Sequence, residues 1–224
     1  MRRSRLLSIG GRMVAVAFMA TLTACPKPAP TPASRQQPPA RAASPLAGLA
    51  GQHVVVLPVH YIKADTIGWA ASIGAPRETL VALDSAIERS LGERGFRTEW
   101  TFPPALARSA KRNAGYVPDP YSLAAERLRT GVMLSDNQLR EPLASQVRGV
   151  VAVTDARYVL FPVELRFEPV AEGGARSVLH VVLLDARGSK VVWAGDVRGA
   201  ARPRYSDVAL ESVALALADL VAAP

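Results

Sequence analysis

The sequence predicts a mixed α/β fold: a single sheet of about five strands in the order β-α-β-α-β-β-β-α, with helices packed on it. Three observations carry this expectation. A valine-rich apolar run opens the folded part, an amphipathic helix separates it from a second strand pattern, and three strand-like segments follow one another across tight turns before a last helix. Strands separated by helices are expected to run parallel and hairpin-linked strands antiparallel, so the sheet is mixed.

Residues 53–61, HVVVLPVHY, form a continuous apolar run, the pattern of a strand covered on both faces. Leu80, Leu83, Ile87 and Leu91 then recur at three- and four-residue steps, which predicts a helix entered at Pro76 and closed near Gly95. Residues 96–102, FRTEWTF, alternate and read as a second strand. Residues 105–114 suit a helix, 115–121 a proline-punctuated loop, and 119–128 a further short helix. Ser135 with Gln138 has the spacing of a capping box. Leu143, Val147, Val150 and Val151 make a helical stripe that Pro142 would bend or restart.

In the next strand Val159, Phe161, Val163, Leu165 and Phe167 share one face, while Glu164, Arg166 and Glu168 share the other. That is the pattern of a half-exposed strand, and Pro162 argues for an edge position or a bulge. The turns EGGA and ARGSK lead through RSVLHVVLLDA and KVVWAGDVRG, completing an antiparallel meander. A Ser206 or Asp207 cap opens the last helix, with Leu210, Val213, Leu217 and Leu220 or Val221 on one face.

The chain opens with Arg2, Arg3, Arg5 and Arg12, followed by the apolar run MVAVAFMATLTA at 13–24. A basic start, a short apolar middle and small residues at its end make an export signal. The run is shorter than the ~20 apolar residues of a spanning helix. Leu22-Thr23-Ala24-Cys25 resembles the lipobox of bacterial lipoproteins, and Cys25 is the chain's single cysteine. The resemblance implies diacylglycerol on the Cys25 thiol and an acyl chain on the new amino terminus, with no other cofactor. Pro26, rather than aspartate, after Cys25 resembles the outer-membrane default, on the periplasmic face. Arg2-Arg3 fits the twin-arginine signal only loosely, so ordinary secretion is the expected route.

Residues 26–46 are rich in proline, alanine and polar residues without apolar periodicity. Such a segment is an extended tether reaching roughly 60 Å at ~3 Å per residue. The expected organisation is therefore a signal peptide at 1–24, a lipidated cysteine and tether at 25–49, and one globular α/β domain at 50–224. The formal charge of +8 does not mark a nucleic-acid binder. Seven basic residues lie in the leader and tether, which leaves 20 basic against 19 acidic residues in the rest.

The runs VVVLPV at 54–59, DARYVLFPVEL at 155–165 and LLDARGSKVVWAG at 183–195 resemble the small α/β domain of envelope lipoproteins: the CsgG-type curli-secretion family, the LpoB-type activators of peptidoglycan synthases, and the TolB amino-terminal domain. That resemblance implies a periplasmic assembly or regulatory module. Secretion-pore members of the curli family add membrane hairpins of about 9–11 residues per strand. Residues 103–137 are too helical and too proline-punctuated to supply them, so no pore is expected.

No catalytic motif is present: no Gly-x-Ser-x-Gly elbow, no His-Glu-x-x-His helix and no Gly-x-x-x-x-Gly-Lys loop. His53 and His60 are seven apart on one strand and point to opposite faces, and His180 is the only other histidine, so no metal site is expected. Gly188-Ser189-Lys190 reads as a hairpin turn, with Asp185 beginning it and Asp155 at a helix–strand junction. Glu164, Arg166 and Glu168 read as a charged strand surface. Trp69, Tyr116 and Tyr121 lie in segments read as loops and form the candidate partner-binding surface, against the plainer reading that each caps the core edge. The sequence thus points to a non-enzymatic interaction or assembly module of the cell envelope, binding an envelope protein or itself. The alternative is a small envelope hydrolase or carbohydrate-processing enzyme with an unrecognised carboxylate site.

Overall fold

The computed structural model describes residues 46–63, 67–129, 136–171 and 173–223. The leader, Cys25, the tether up to residue 45 and Ser135 of the expected capping box lie outside the described residues. No helix among the described residues is long and apolar enough to cross a membrane.

The fold is one mixed sheet of six strands with helices on both faces. The strands are β1 (Val54–Val56), β2 (Tyr61–Lys63), β3 (Trp100–Thr101), β4 (Tyr158–Pro169), β5 (Ala175–Asp185) and β6 (Lys190–Arg202). The helices are α1 (Ala70–Ile73), α2 (Pro76–Glu93), α3 (Pro103–Arg112), α4 (Leu143–Val151) and α5 (Asp207–Ala222). The strand order is β3-β1-β4-β5-β6, with β2 also on β4. β1 pairs in parallel with β3 and β4, and β4, β5 and β6 form the antiparallel meander.

The apolar run at 53–61 is divided in two. Val56 pairs with Leu160 and Tyr61 with Glu164, so five steps on one side match four on the other. The gap holds Pro58 and faces Pro162, neither of which has an N–H for a ladder. β4 is bulged between Pro162 and Glu164, as the proline predicts, but it is a central strand rather than an edge. The bulge also splits the five apolar residues expected on one face. Val159, Phe161 and Val163 pack under α3 and α4, whereas Leu165 and Phe167 join the core beneath α2 and α5. An extra residue reverses every later side chain.

α2 follows the predicted stripe: Leu83, Ile87 and Leu91 are buried, each contributing about 2 kcal/mol by removal from water. Gly95, at φ +93°, turns the chain after it. The strand expected at 96–102 is reduced to Trp100 and Thr101, because residues 94–99 form turns closed by Phe96 N–H to Leu91 O and Trp100 N–H to Phe96 O. The helix expected at 119–128 is a turn followed by one 3-10 turn at Glu126–Leu128. Pro142 starts rather than bends α4. At the other end, Leu46 and Leu49, assigned to the tether by the sequence, are buried in the core beside α5. The folded part therefore includes residues 46–49.

Candidate functional site

β1 lies where the chain changes sides. α2 leaves it on one face to reach β3, and the return to β4 runs through α3 and α4 on the other. Such a switch point leaves a crevice beyond the carboxyl end of the strand. Here the crevice has a volume of about 560 Å³ and is lined by His60 after β1, Arg77, Leu80 and Asp84 of α2, and Asp119 and Tyr121 of the loop after α3.

Asp84 sits at its base, 6 % exposed. One carboxylate oxygen accepts the Val59 N–H at 2.8 Å, while the other is buried without a partner. Burial pushes this carboxyl up to about 7, opposed by the Val59 hydrogen bond. His60 has both ring nitrogens committed: Nδ1 lies 2.9 Å from Pro58 O, and Nε2 accepts the Leu123 N–H at 3.3 Å. Nδ1 therefore carries the proton, and burial holds the ring below the usual histidine range. Neither nitrogen is left for a metal or a proton transfer. Among the described residues no three histidine, cysteine, aspartate or glutamate side chains converge on a point.

The three aromatic candidates have different fates. Trp69 is buried, with its ring 5.3 Å from that of Phe167 and 6.1 Å from that of Tyr205, so it belongs to the core and is withdrawn from the surface. Tyr116 is 90 % exposed and Tyr121 41 % exposed. Their loop lies close on α4: a Cβ at Gly149 would stand 3.1 Å from Pro118 and 3.3 Å from Tyr116 O. Asp119 closes the loop by accepting the Tyr121 N–H at 3.0 Å. Tyr121 also lines a second groove of about 410 Å³, with Arg77 and Lys111 on its rim. Tyr121 thus lines both grooves, whereas Tyr116 stands out from the same loop without lining either.

Glu164, Arg166 and Glu168 do share a face, but not a plainly solvated one. Arg129 reaches Glu164, itself 7 % exposed, at 2.5 Å and lies 4.5 Å over the Tyr61 ring. Burial, then the Glu126 hydrogen bond, push the Tyr61 phenol up to about 12. Arg166 joins Asp196 at 2.6 Å and Glu168 at 3.1 Å, and His180 Nδ1 is 3.0 Å from Asp196. The Arg166 hydrogen bond holds Asp196 down at about 2, with His180 adding to it. The sequence reading missed Asp84 and the His180–Asp196 pair. The turn at 186–189 alone would place His180 opposite Gly195; a register shift between Leu183 and Leu184 brings it opposite Asp196, and nothing in the sequence signalled that shift.

No family model and no curated protein matches the sequence. Among solved structures, the chain is similar to the LpoB C-terminal domain from Salmonella enterica, at 13% identity and a TM-score of 0.37, covering 70% of this chain and 94% of that one. It is similar to PelC, solved as a dodecamer from Paraburkholderia phytofirmans, at 15% identity and a TM-score of 0.37, covering 75% and 86%. It is also similar to the lipoprotein GNA1162 from Neisseria meningitidis, at 13% identity and a TM-score of 0.31, covering 65% and 77%. At these scores the likeness assigns neither a family nor a role.

Proposed function

We propose that the chain is an outer-membrane lipoprotein facing the periplasm. It is held by diacylglycerol and an acyl chain on Cys25, and it docks an envelope protein, without catalysis, through the surface around Tyr116 and Tyr121. The observation that carries the reading is the position of Leu22-Thr23-Ala24-Cys25, at the end of an apolar run and before a proline-rich tether. A thiol in that setting has no second cysteine to pair with and prolines for neighbours. Acylation gives it a purpose, since two signals or chains make membrane attachment stable. The docking half of the proposal is supported by Tyr116, a large aromatic left 90 % exposed on a loop fixed against α4.

A photo-cross-linking amino acid in place of Tyr116, activated in intact cells, tests the docking. One defined envelope-protein adduct, weakened at least about tenfold by Tyr121→Ala, is the expected result. Adducts with no defined protein would contradict it.

The hydrolase alternative gains one observation, a carboxyl at about 7 in a cleft. Its hydrogen bond to the Val59 N–H gives Asp84 a structural task instead. Partner capture that survives Asp84→Asn separates the two readings.

A further inference from the structure

We infer that the cavity beside His180 binds a small neutral molecule with an apolar body and one hydroxyl or N–H donor. The cavity has a volume of about 240 Å³ and lies on the α4 side of the sheet. Its walls include Leu139, Leu143, Val182, Val191 and Ala194, with His180 as the polar side chain rising from the sheet. An engineered cavity of about 150 Å³ with aliphatic walls binds benzene, so this one has room for a ring carrying a short substituent.

The polar end of the site is built, not incidental. The His180 side chain is 10% exposed, and Nδ1 faces Asp196 at 3.0 Å. Asp196 is in turn held by Arg166 at 2.6 Å, so it is an ionised acceptor and Nδ1 carries the proton. In the neutral ring the remaining nitrogen, Nε2, is a lone-pair acceptor, and it is buried without a partner. A buried acceptor left unpaired is costly, and a ligand O–H or N–H removes that cost. The rim does not call for a charged ligand. Glu126 is paired with Arg129, Arg140 with Asp136 and Glu141 with Arg148, and Arg127 also has a partner.

The site is separate from the Tyr116 surface and stands or falls without it. The test compares 4-ethylphenol with 1-ethyl-4-methylbenzene, which replaces the hydroxyl by a methyl group of similar size. Both are titrated into the full chain at about pH 8 and followed by NMR of the Val182 and Val191 methyls and the His180 ring nitrogens, whose shifts also report the neutral ring. The expected result is at least about tenfold tighter binding of the phenol, with a shift at Nε2, and loss of that preference in His180→Phe while hydrocarbon binding persists. Equal affinity for the two compounds, or no shift at these residues up to about 1 mM, would overturn the inference. The two-compound comparison uses the unaltered chain, so it decides the matter even if His180→Phe does not fold.

Discussion

Asp84 and Asp196 are carboxylates pushed in opposite directions by their surroundings. Burial raises Asp84 from 3.8 to about 7, so its contribution to stability is present below about pH 4 and is lost as pH rises through about 7. Asp84→Asn keeps an oxygen for the Val59 N–H and removes the charge. In urea melts it should match the native chain near pH 4 and exceed it by a few kcal/mol near pH 8. Asp196 is lowered from 3.8 to about 2, chiefly by Arg166, so its contribution is present above about pH 4 and is lost as pH falls towards 2. Asp196→Asn should cost about 1–2 kcal/mol at neutral pH, with the difference shrinking over that acid window. Neither shift was legible in the sequence, because each depends on the fold: burial of Asp84 beneath the crevice, and for Asp196 the approach of Arg166 and then His180 from other strand positions. The aromatics show the same limit. Trp69, Tyr116 and Tyr121 all read as loop residues, and only packing against Phe167 and Tyr205 removes the first from the surface.

Elements were legible where one periodicity ran unbroken. α2, α5 and the β4–β6 meander follow stripes and turns visible in the residues, and Asp185 begins its turn by accepting the N–H groups of Arg187 and Gly188. Reading failed where a pattern was interrupted by pairing that only the fold supplies. The β4 alternation is perfect in sequence, yet the bulge at Pro162 divides it between two faces. The run at 53–61 is likewise continuous in sequence but broken in the sheet. Between α5 and β6 the fit is close. A Cβ at Gly199 would stand 2.5 Å from Ser212 Oγ and 3.0 Å from the Val213 nitrogen, and Ser212 Oγ accepts the Ala200 N–H. Gly199→Ala should therefore push α5 off the sheet edge and cost about 1–3 kcal/mol in urea melts, with α2 packing on α5 loosened as a consequence. Unchanged stability would show that α5 yields without loss.

At the scale of the whole molecule, charge is nearly balanced once the basic first segments are set aside. The core includes Leu46 and Leu49, so the proposed tether ends by residue 45 rather than 49. Charge distribution and the composition of the first segments belong to the sequence and were legible there; the sheet order belongs to long-range pairing and was not. The anchor is the claim on which the rest depends. Its most direct test is mass spectrometry of the mature chain together with membrane fractionation, for native protein and Cys25→Ser. The account predicts a chain that begins at Cys25, carries diacylglycerol and an acyl chain there, and sediments with outer membranes, whereas the serine variant lacks the lipid and leaves the membrane. A native chain with an unmodified Cys25 in the soluble fraction would contradict it.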